Sequence, residues 1–282
     1  MKVISDIKEM TSYSKKQTAK GKIIGFVPTM GYLHEGHISL VKKAKEECDV
    51  VIVSIFVNPT QFGPKEDLAA YPRDLKRDLG LLEPLSVDVV FNPEAKSMYP
   101  SWYNTYVNIE GDLTKKLCGA FRPVHFKGVT TIVAKLFNIV LPDKAYFGQK
   151  DAQQCVVIKK MVKDLNIQVE VIALPTVREK DGLAMSSRNI YLTPEERKTA
   201  PEIYRSLLTA KKMIEGGERK SEKILTEMKK KLGVMGEIEM QYVSIVDAET
   251  LLDKINISGD VIIAVALKLG KTRLIDNIFL SV

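Results

Sequence analysis

Only three of the 282 residues are histidine, and two of them stand three apart in Met30-Gly31-Tyr32-Leu33-His34-Glu35-Gly36-His37. Two imidazoles at that spacing can donate to one ligand, and the flanking pattern indicates which kind. Ile23 to Val27 is a short apolar, β-branched run that reads as a buried strand. Pro28 is expected to stop it, Gly31 to permit a tight turn, and Gly36 to let the backbone approach a ligand closely. From His37 onward Ile38, Leu40, Val41 and Ala44 recur at helical spacing above a Lys-rich face. A helix N-terminus at the turn offers free N–H groups and the positive end of a dipole, which suits phosphate. The plainer alternative is that His34 caps the turn and His37 packs at the helix start.

Other polar groups fall on similar turns. Asn58 and Gln61 follow directly on the apolar run Asp49 to Val57, where amides can hold hydroxyls and a carboxylate without adding charge; an ordinary Asx-Pro turn is the alternative. Lys150 and Asp151 follow Ala145-Tyr146-Phe147-Gly148-Gln149, and Gln154 lies one turn beyond Lys150. A lysine for phosphate beside a carboxylate for ribose is a sensible nucleotide pair, although Asp151 could simply cap a helix. Met185-Ser186-Ser187-Arg188 follows the turn signal Asp181-Gly182, and two hydroxyls with a guanidinium can clamp an anion. The third histidine sits in Arg122-Pro123-Val124-His125-Phe126, where a loop contact and a substrate-facing donor are equally open.

These turns need a scaffold. Strand-like and helix-like segments alternate through the first 175 residues: strands at Asp49 to Val57, Val87 to Phe91, Lys144 to Phe147 and Gln168 to Leu174, and helices at Asp67 to Glu83, Gly128 to Val140 and Asp151 to Asp164. That alternation predicts an α/β fold, a Rossmann-like doubly wound parallel sheet whose ligands bind at the carboxyl ends of strands. Residues 1–175 are assigned to this domain and 176–282 to a smaller α+β C-terminal domain carrying the Met185–Arg188 clamp at its start. Thr193-Pro194-Glu195-Glu196 is a capped helix start. Helices are expected around Glu202 to Glu215 and Ser221 to Leu232, then antiparallel strands at Met240 to Val246, Val261 to Leu269 and Arg273 to Leu280.

Composition narrows the class. Hydrophobic residues at 45% and charged residues at 27% are ordinary for a globular protein, and the formal charge of +7 fits an anionic substrate. Basic clusters lie on amphipathic helices, so nucleic acid is not the expected partner. Cys48, Cys118 and Cys155 form no Cys-x-x-Cys pair, which argues against disulfides or a zinc knuckle and for a reducing cytoplasm. No signal peptide is visible and no run nears the roughly 18 apolar residues that would span a membrane. Val261 to Leu269 is apolar enough to sit in a subunit interface, and a homodimer is expected.

His34-Glu35-Gly36-His37 resembles the His-x-Gly-His signature of the nucleotidyltransferase superfamily, and Met185-Ser186-Ser187-Arg188 resembles its mobile phosphate-binding motif, with Arg188 where a Lys often stands. Longer strings, Phe26 to Gly31, Phe56 to Phe62, Tyr146 to Asp151 and Asp181 to Asn189, resemble the pantoate–β-alanine ligase family, from about Gly25 to Asn277. Val124 departs from the Gly usual in that family, which leaves the roles of Arg122 and His125 open.

The resemblance implies ATP-dependent condensation of pantoate with β-alanine to pantothenate, AMP and pyrophosphate through a pantoyl adenylate. It implies catalytic roles for His37, His34, Lys150 and Arg188. It implies ATP contacts from Met30, Gly31, Tyr32, Leu33, His34, Glu35, Gly36, His37, Gly148, Gln149, Lys150, Asp151, Val177, Met185, Ser186, Ser187 and Arg188. Gln61, Gln154 and Asn58 would hold the pantoate and β-alanine, and the second domain would act as a lid. Mg²⁺ is expected with the nucleotide, but no acidic cluster identifies its ligands and nothing singles out Asp74 or Asp78. Two other classes compete with this reading. An adenylyltransferase acting on a phosphorylated acceptor would call for Lys or Arg where Asn58 and Gln61 stand. An RNA-binding module would need the aromatic-basic interleaving that the chain lacks.

Overall fold

The computed structural model describes residues 1–64 and 66–282. Its first part alternates β1 (Lys2–Ile4), α1 (Ile7–Thr18), β2 (Ile24–Thr29), α2 (Glu35–Glu47), β3 (Val50–Ile55), α3 (Leu75–Leu82), β4 (Val89–Phe91), α4 (His125–Val140), β5 (Lys144–Gly148), α5 (Ala152–Asp164) and β6 (Glu170–Leu174). The six strands are all parallel, in the order β1-β4-β3-β2-β5-β6. From β2 the chain builds outward through β3 in one direction and later through β5 in the other. The strand order therefore reverses between β2 and β5, where open α/β sheets take their ligands.

Burial follows from the period of two. On β3, Val50 and Ile52 join the core under α1, α4 and α5, while Val51, Val53 and Ile55 join the core under α2 and α3. Both faces are covered, so the strand is apolar throughout. β2 and β3 stay paired as far as Thr29 and Ile55, whereas β2 pairs with β5 only at Gly25–Lys144 and Phe26–Ala145. The carboxyl ends of β2 and β5 thus separate and leave a crevice.

Pro28 does not stop β2. The carbonyls of Ile23 and Thr29 accept from Val50 and Phe56 on the β3 side, so alternation turns the Pro28 nitrogen toward β5. Pairing with β5 has already ended there, so proline removes no ladder bond. The expected helix at Asp67 to Glu83 shortens to α3. Asp74 caps it, accepting from the Arg77 amide at 3.0 Å, and Pro72 lies just outside. β1 and α1 had no clear sequence signal, because β1 has three residues and α1 buries only Met10 and Ser14.

The second part contains α6 (Pro194–Thr199), α7 (Glu202–Glu215), α8 (Ser221–Leu232) and the antiparallel strands β7 (Ile238–Asp247), β8 (Asp260–Leu269) and β9 (Thr272–Ser281), in the order β7-β8-β9. Thr193 and Glu196 cap α6 reciprocally, at 3.2 and 2.8 Å. α7 and α8 cover one face of this sheet, including Val261, Ile263 and Val265. Ile262 and Ala264 on the opposite face pack against Ala152 and Val156 of the first domain. The apolar run Val261 to Leu269 is therefore the central strand of its own sheet, buried on both sides, and gives no argument for a subunit interface. No helix among the described residues is long and apolar enough to cross a membrane.

Candidate active site

The turn after β2 is held from behind. Gly31 has φ +81° and Tyr32 φ +49°, and the buried Asp78 of α3 accepts the Tyr32 and Leu33 amides, both at 2.7 Å. Burial raises the Asp78 pKa, and the two amide bonds oppose that rise. Asp78 thus gives both of its oxygens to backbone amides, and Asp74 gives one to the cap of α3.

α2 begins earlier than its apolar pattern suggests, with His34 as N-cap. His34 Nδ1 accepts from the Gly36 amide at 3.1 Å, and His37 Nδ1 accepts from the His34 amide at 3.3 Å. The rings lie against each other, tilted by 41°, with centroids 4.1 Å apart. A Cβ on Gly36 would stand 2.8 Å from His34 Cε1, so this glycine makes room for the imidazole. Burial, with Lys150 nearby, lowers the His34 pKa to about 4. Burial, with His34 and Lys150 adding, also pushes His37 well below its ordinary value. Both rings are neutral at pH 7. Because Nδ1 accepts, the proton sits on Nε2. The histidines consume amides at the helix end and present Nε2–H donors in their place.

A cleft of about 210 Å³ opens between β2 and β5. It gathers Met30, His34, Gly36, His37, Asn58, Gln61, Gly148, Lys150, Asp151, Gln154, Val177, Met185, Ser186, Ser187 and Arg188. Gly31, Tyr32, Leu33, Glu35 and Gln149 do not line it. Leu33 is fully buried, Glu35 is exposed on the first turn of α2, and the Gln149 carbonyl accepts from Asn277 at 2.9 Å. Those five residues help build the turns. Asp151 occupies the cap position of α5 but makes no side-chain cap bond, so capping does not account for its carboxylate.

The clamp is docked on the first domain. Ser187 Oγ donates to the Tyr32 carbonyl at 3.1 Å. Arg188 binds Asp67 through Nε at 2.8 Å and Nη2 at 2.9 Å. Burial would raise the Asp67 pKa, but the Arg188 pair holds it below the usual carboxylate value. Arg178 fixes the approach to the clamp through Asp276, at 2.5 and 3.0 Å, while Asn277 Nδ2 donates to the Gln149 and Lys150 carbonyls, both at 2.9 Å. Sequence reading missed Asp67, Arg178, Asp276 and Asn277. The available signal was an Asp-Asn pair interrupting an apolar strand.

The opposite wall is a closed network. Asn58 Nδ2 donates to Gln61 Oε1 and to the Gly128 carbonyl, and Asn58 Oδ1 accepts from Thr60 and Tyr99. A Cβ on Gly128 would lie 2.4 Å from the Thr60 carbonyl oxygen, so only glycine lets α4 approach this closely. His125 Nδ1 meets the Gln61 carbonyl at 3.1 Å and its Nε2 meets Arg122 at 3.1 Å. Arg122 in turn pairs with Glu66. Burial, then Arg122, lowers the His125 pKa to about 3.

A parallel sheet with its switch point at a helix end that carries two imidazole donors, faced by a lysine and a serine-arginine segment, defines a nucleotide-using α/β enzyme. A family model for pantoate–β-alanine ligase matches residues 2–279, and the chain belongs to that family. It is 59% identical to the pantothenate synthetase of Fervidobacterium nodosum and 55% identical to that of Acetivibrio thermocellus, with all of each chain covered. The crystal structure of pantothenate synthetase from Thermus thermophilus superposes with a TM-score of 0.94 at 45% identity, covering 99% of both chains. The ligase from Francisella tularensis, solved with beta-gamma ATP and β-alanine, gives 0.80 at 38% identity, covering 99% of this chain and 97% of that one.

Proposed function

We propose that ATP binds the β2–β5 cleft with its phosphates at the start of α2, and that pantoate lies against Gln61 and Gln154. The reaction is ATP-dependent condensation of pantoate with β-alanine to pantothenate, AMP and pyrophosphate, through pantoyl adenylate. In the first half a pantoate carboxylate oxygen bonds to the α-phosphorus. The bond to the bridging oxygen breaks, and its electron pair leaves on pyrophosphate. Charge grows on the phosphates, so preorganised donors are what the step requires. His34 and His37 offer Nε2–H, Lys150 a compact charge, and Ser186, Ser187 and Arg188 a clamp on the departing pyrophosphate. Met30 lines the phosphate path, and Gly148, Asp151 and Val177 receive ribose and adenine. In the second half the deprotonated amine of β-alanine attacks the acyl carbon. The C–O bond breaks with its electron pair on AMP, and the nitrogen loses a further proton to solvent.

Asn58 is read as a positioning residue, since all of its hydrogen-bonding capacity goes to the protein. The C-terminal domain acts as a lid that keeps water from the adenylate; its contacts from Ser187 and Asn277 support that role. Mg²⁺ is proposed to arrive with ATP and to neutralise phosphate charge. Among the described residues no three His, Cys, Asp or Glu side chains form a metal-holding group, which suits an ion that keeps phosphates and water as ligands.

One observation carries this reading: two neutral histidines present Nε2–H into the cleft beside Lys150. The division of the cleft is tested by Gln61→Ala, which should raise the pantoate KM roughly 10- to 100-fold and leave the ATP KM within a few-fold. An ATP KM that moves while the pantoate KM stays would overturn it.

A further inference from the structure

Asn58 and Gln61 line the reaction cleft, but the side chains that set which way their amides face do not. Tyr99 ends the short helix Ala95–Met98, and its O–H donates to Asn58 Oδ1 at 2.8 Å. Thr60 Oγ1 lies 3.0 Å from the same oxygen and 3.2 Å from the Tyr99 hydroxyl. On the far side of the amide, Asn58 Nδ2 donates to the Gly128 carbonyl and to Gln61 Oε1, each at 3.1 Å. A carbonyl can only accept, so Gly128 gives the Asn58 amide its direction, and the hydroxyls supply the donors that hold it there. Asn58 is 1% exposed, so bulk water does not replace a donor lost from its oxygen.

The consequence falls on Gln61. Its Oε1 is taken by Asn58, so its Nε2 faces the other way, with Met30 Sδ at 3.0 Å. A thioether is a weak acceptor, and an amide nitrogen carries two N–H groups. Gln61 therefore offers the cleft donors and not its side-chain carbonyl. Its backbone is held separately, through the contact of its carbonyl with His125 Nδ1. The Tyr99 ring packs against Phe56 and Tyr103, with centroids 6.3 and 5.1 Å away, so it is fixed without help from the hydroxyl. Burial pushes the phenol up to about 12, so it stays protonated through neutral pH. We propose that Tyr99 is a positioning residue: through Asn58 its hydroxyl keeps the N–H side of the Gln61 amide toward the cleft, so that this wall selects an acceptor oxygen on pantoate. The proposal rests on pantoate lying against Gln61.

The test is a double-mutant cycle read in pantoate-dependent ATP–pyrophosphate exchange. Tyr99→Phe keeps the packed ring and removes only the donor. It should raise the pantoate KM about three- to tenfold, the range for one hydrogen bond, and leave the ATP KM within about twofold. Adding Thr60→Val strips the Asn58 oxygen of both donors and should bring the loss toward that of Gln61→Ala. In an Asn58→Ala background Tyr99→Phe should change the pantoate KM by less than about twofold, because the link to Gln61 is already cut. If Asn58→Ala does not fold, Gln61→Ala takes its place in the cycle with the same expectation. Gln61→Glu reads the direction of the amide: it turns an anionic oxygen toward an anionic substrate and should raise the pantoate KM more than Gln61→Ala does. An unchanged pantoate KM in Tyr99→Phe would overturn the proposal. So would a full Tyr99→Phe effect in the Asn58→Ala background, an equal rise of both KM values, or a Gln61→Glu KM below that of Gln61→Ala. A pantoate KM that Gln61→Ala leaves in place would instead take down the pantoate reading on which the proposal rests.

Discussion

The two walls of the cleft use the same kinds of side chain in opposite ways. At the start of α2, His34 and His37 each give one ring nitrogen to a backbone amide and keep the other for a ligand, and Lys150 lies 4.0 Å from Asp151. Across the cleft, His125 gives one nitrogen to the Gln61 carbonyl and the other to Arg122, and Asn58 makes four hydrogen bonds within the protein. Burial makes all three histidines neutral at pH 7, so burial does not distinguish their roles. What differs is which nitrogen remains free. A phosphoryl group in transfer needs unspent donors as charge arrives, whereas a hydroxy acid needs a wall that does not move.

The largest expected effect comes from the first wall. His37→Ala should slow adenylate formation by about 10²–10³-fold with little change in ATP affinity, as for loss of one preorganised donor. His34→Ala should act similarly with more loss of ATP binding, because it also uncaps α2. Pyrophosphate release near the normal rate in both variants would remove the contrast between the walls.

Next comes Arg188→Ala, expected to slow pantoyl adenylate formation by ~10²-fold or more, the loss of a charge-assisted bidentate contact. Supplied with preformed pantoyl adenylate and β-alanine, the variant should make pantothenate at close to the normal rate, and Arg188→Lys should recover part of the loss. Arg188 holds Asp67 through Nε and Nη2, so phosphate must either compete with that carboxylate or take the remaining Nη1. Equal slowing of both half-reactions would make the segment a hinge and not a clamp.

The second wall should answer in binding and in acid stability. His125→Ala is expected to raise the pantoate KM about tenfold while the ATP KM stays within a few-fold, as Gln61 loses a backbone support. His125→Asn should recover part of this, because an amide can still donate to that carbonyl. His125 is held at about 3 in the fold, against 6.5 ordinarily. Between those values the unfolded chain takes up a proton that the fold refuses. Its contribution to stability is therefore intact above about pH 6.5 and is lost as pH falls toward 3. Thermal melts across that window should show a shallower acid decline for His125→Asn than for the parent chain. Parallel curves would mean that the ring is not held neutral.

Legibility from sequence followed the range of the interactions. The Thr193–Glu196 cap and the three antiparallel strands were read closely, because caps and two-residue alternation are local. Gly36 is legible as a turn glycine, but the His34 ring that a Cβ there would crowd is not. Pro28 was misread because a strand tolerates proline only where its ladder has ended, and that depends on how far β5 pairs. Asp78 gave no signal at all: its partners, Tyr32 and Leu33, lie 46 and 45 residues away.

By itself the sequence determined the elements, the α/β class and the residue kit at the strand–helix turns, because period, turn chemistry and capping act over a few residues. Tertiary structure decided which imidazole nitrogens stay free and which carboxylates are already spent. Those outcomes depend on partners brought together from distant parts of the chain, such as Arg178 and Asp276, 98 residues apart. Hydrogen-bonding capacity is finite, so only the completed fold shows which groups remain for chemistry.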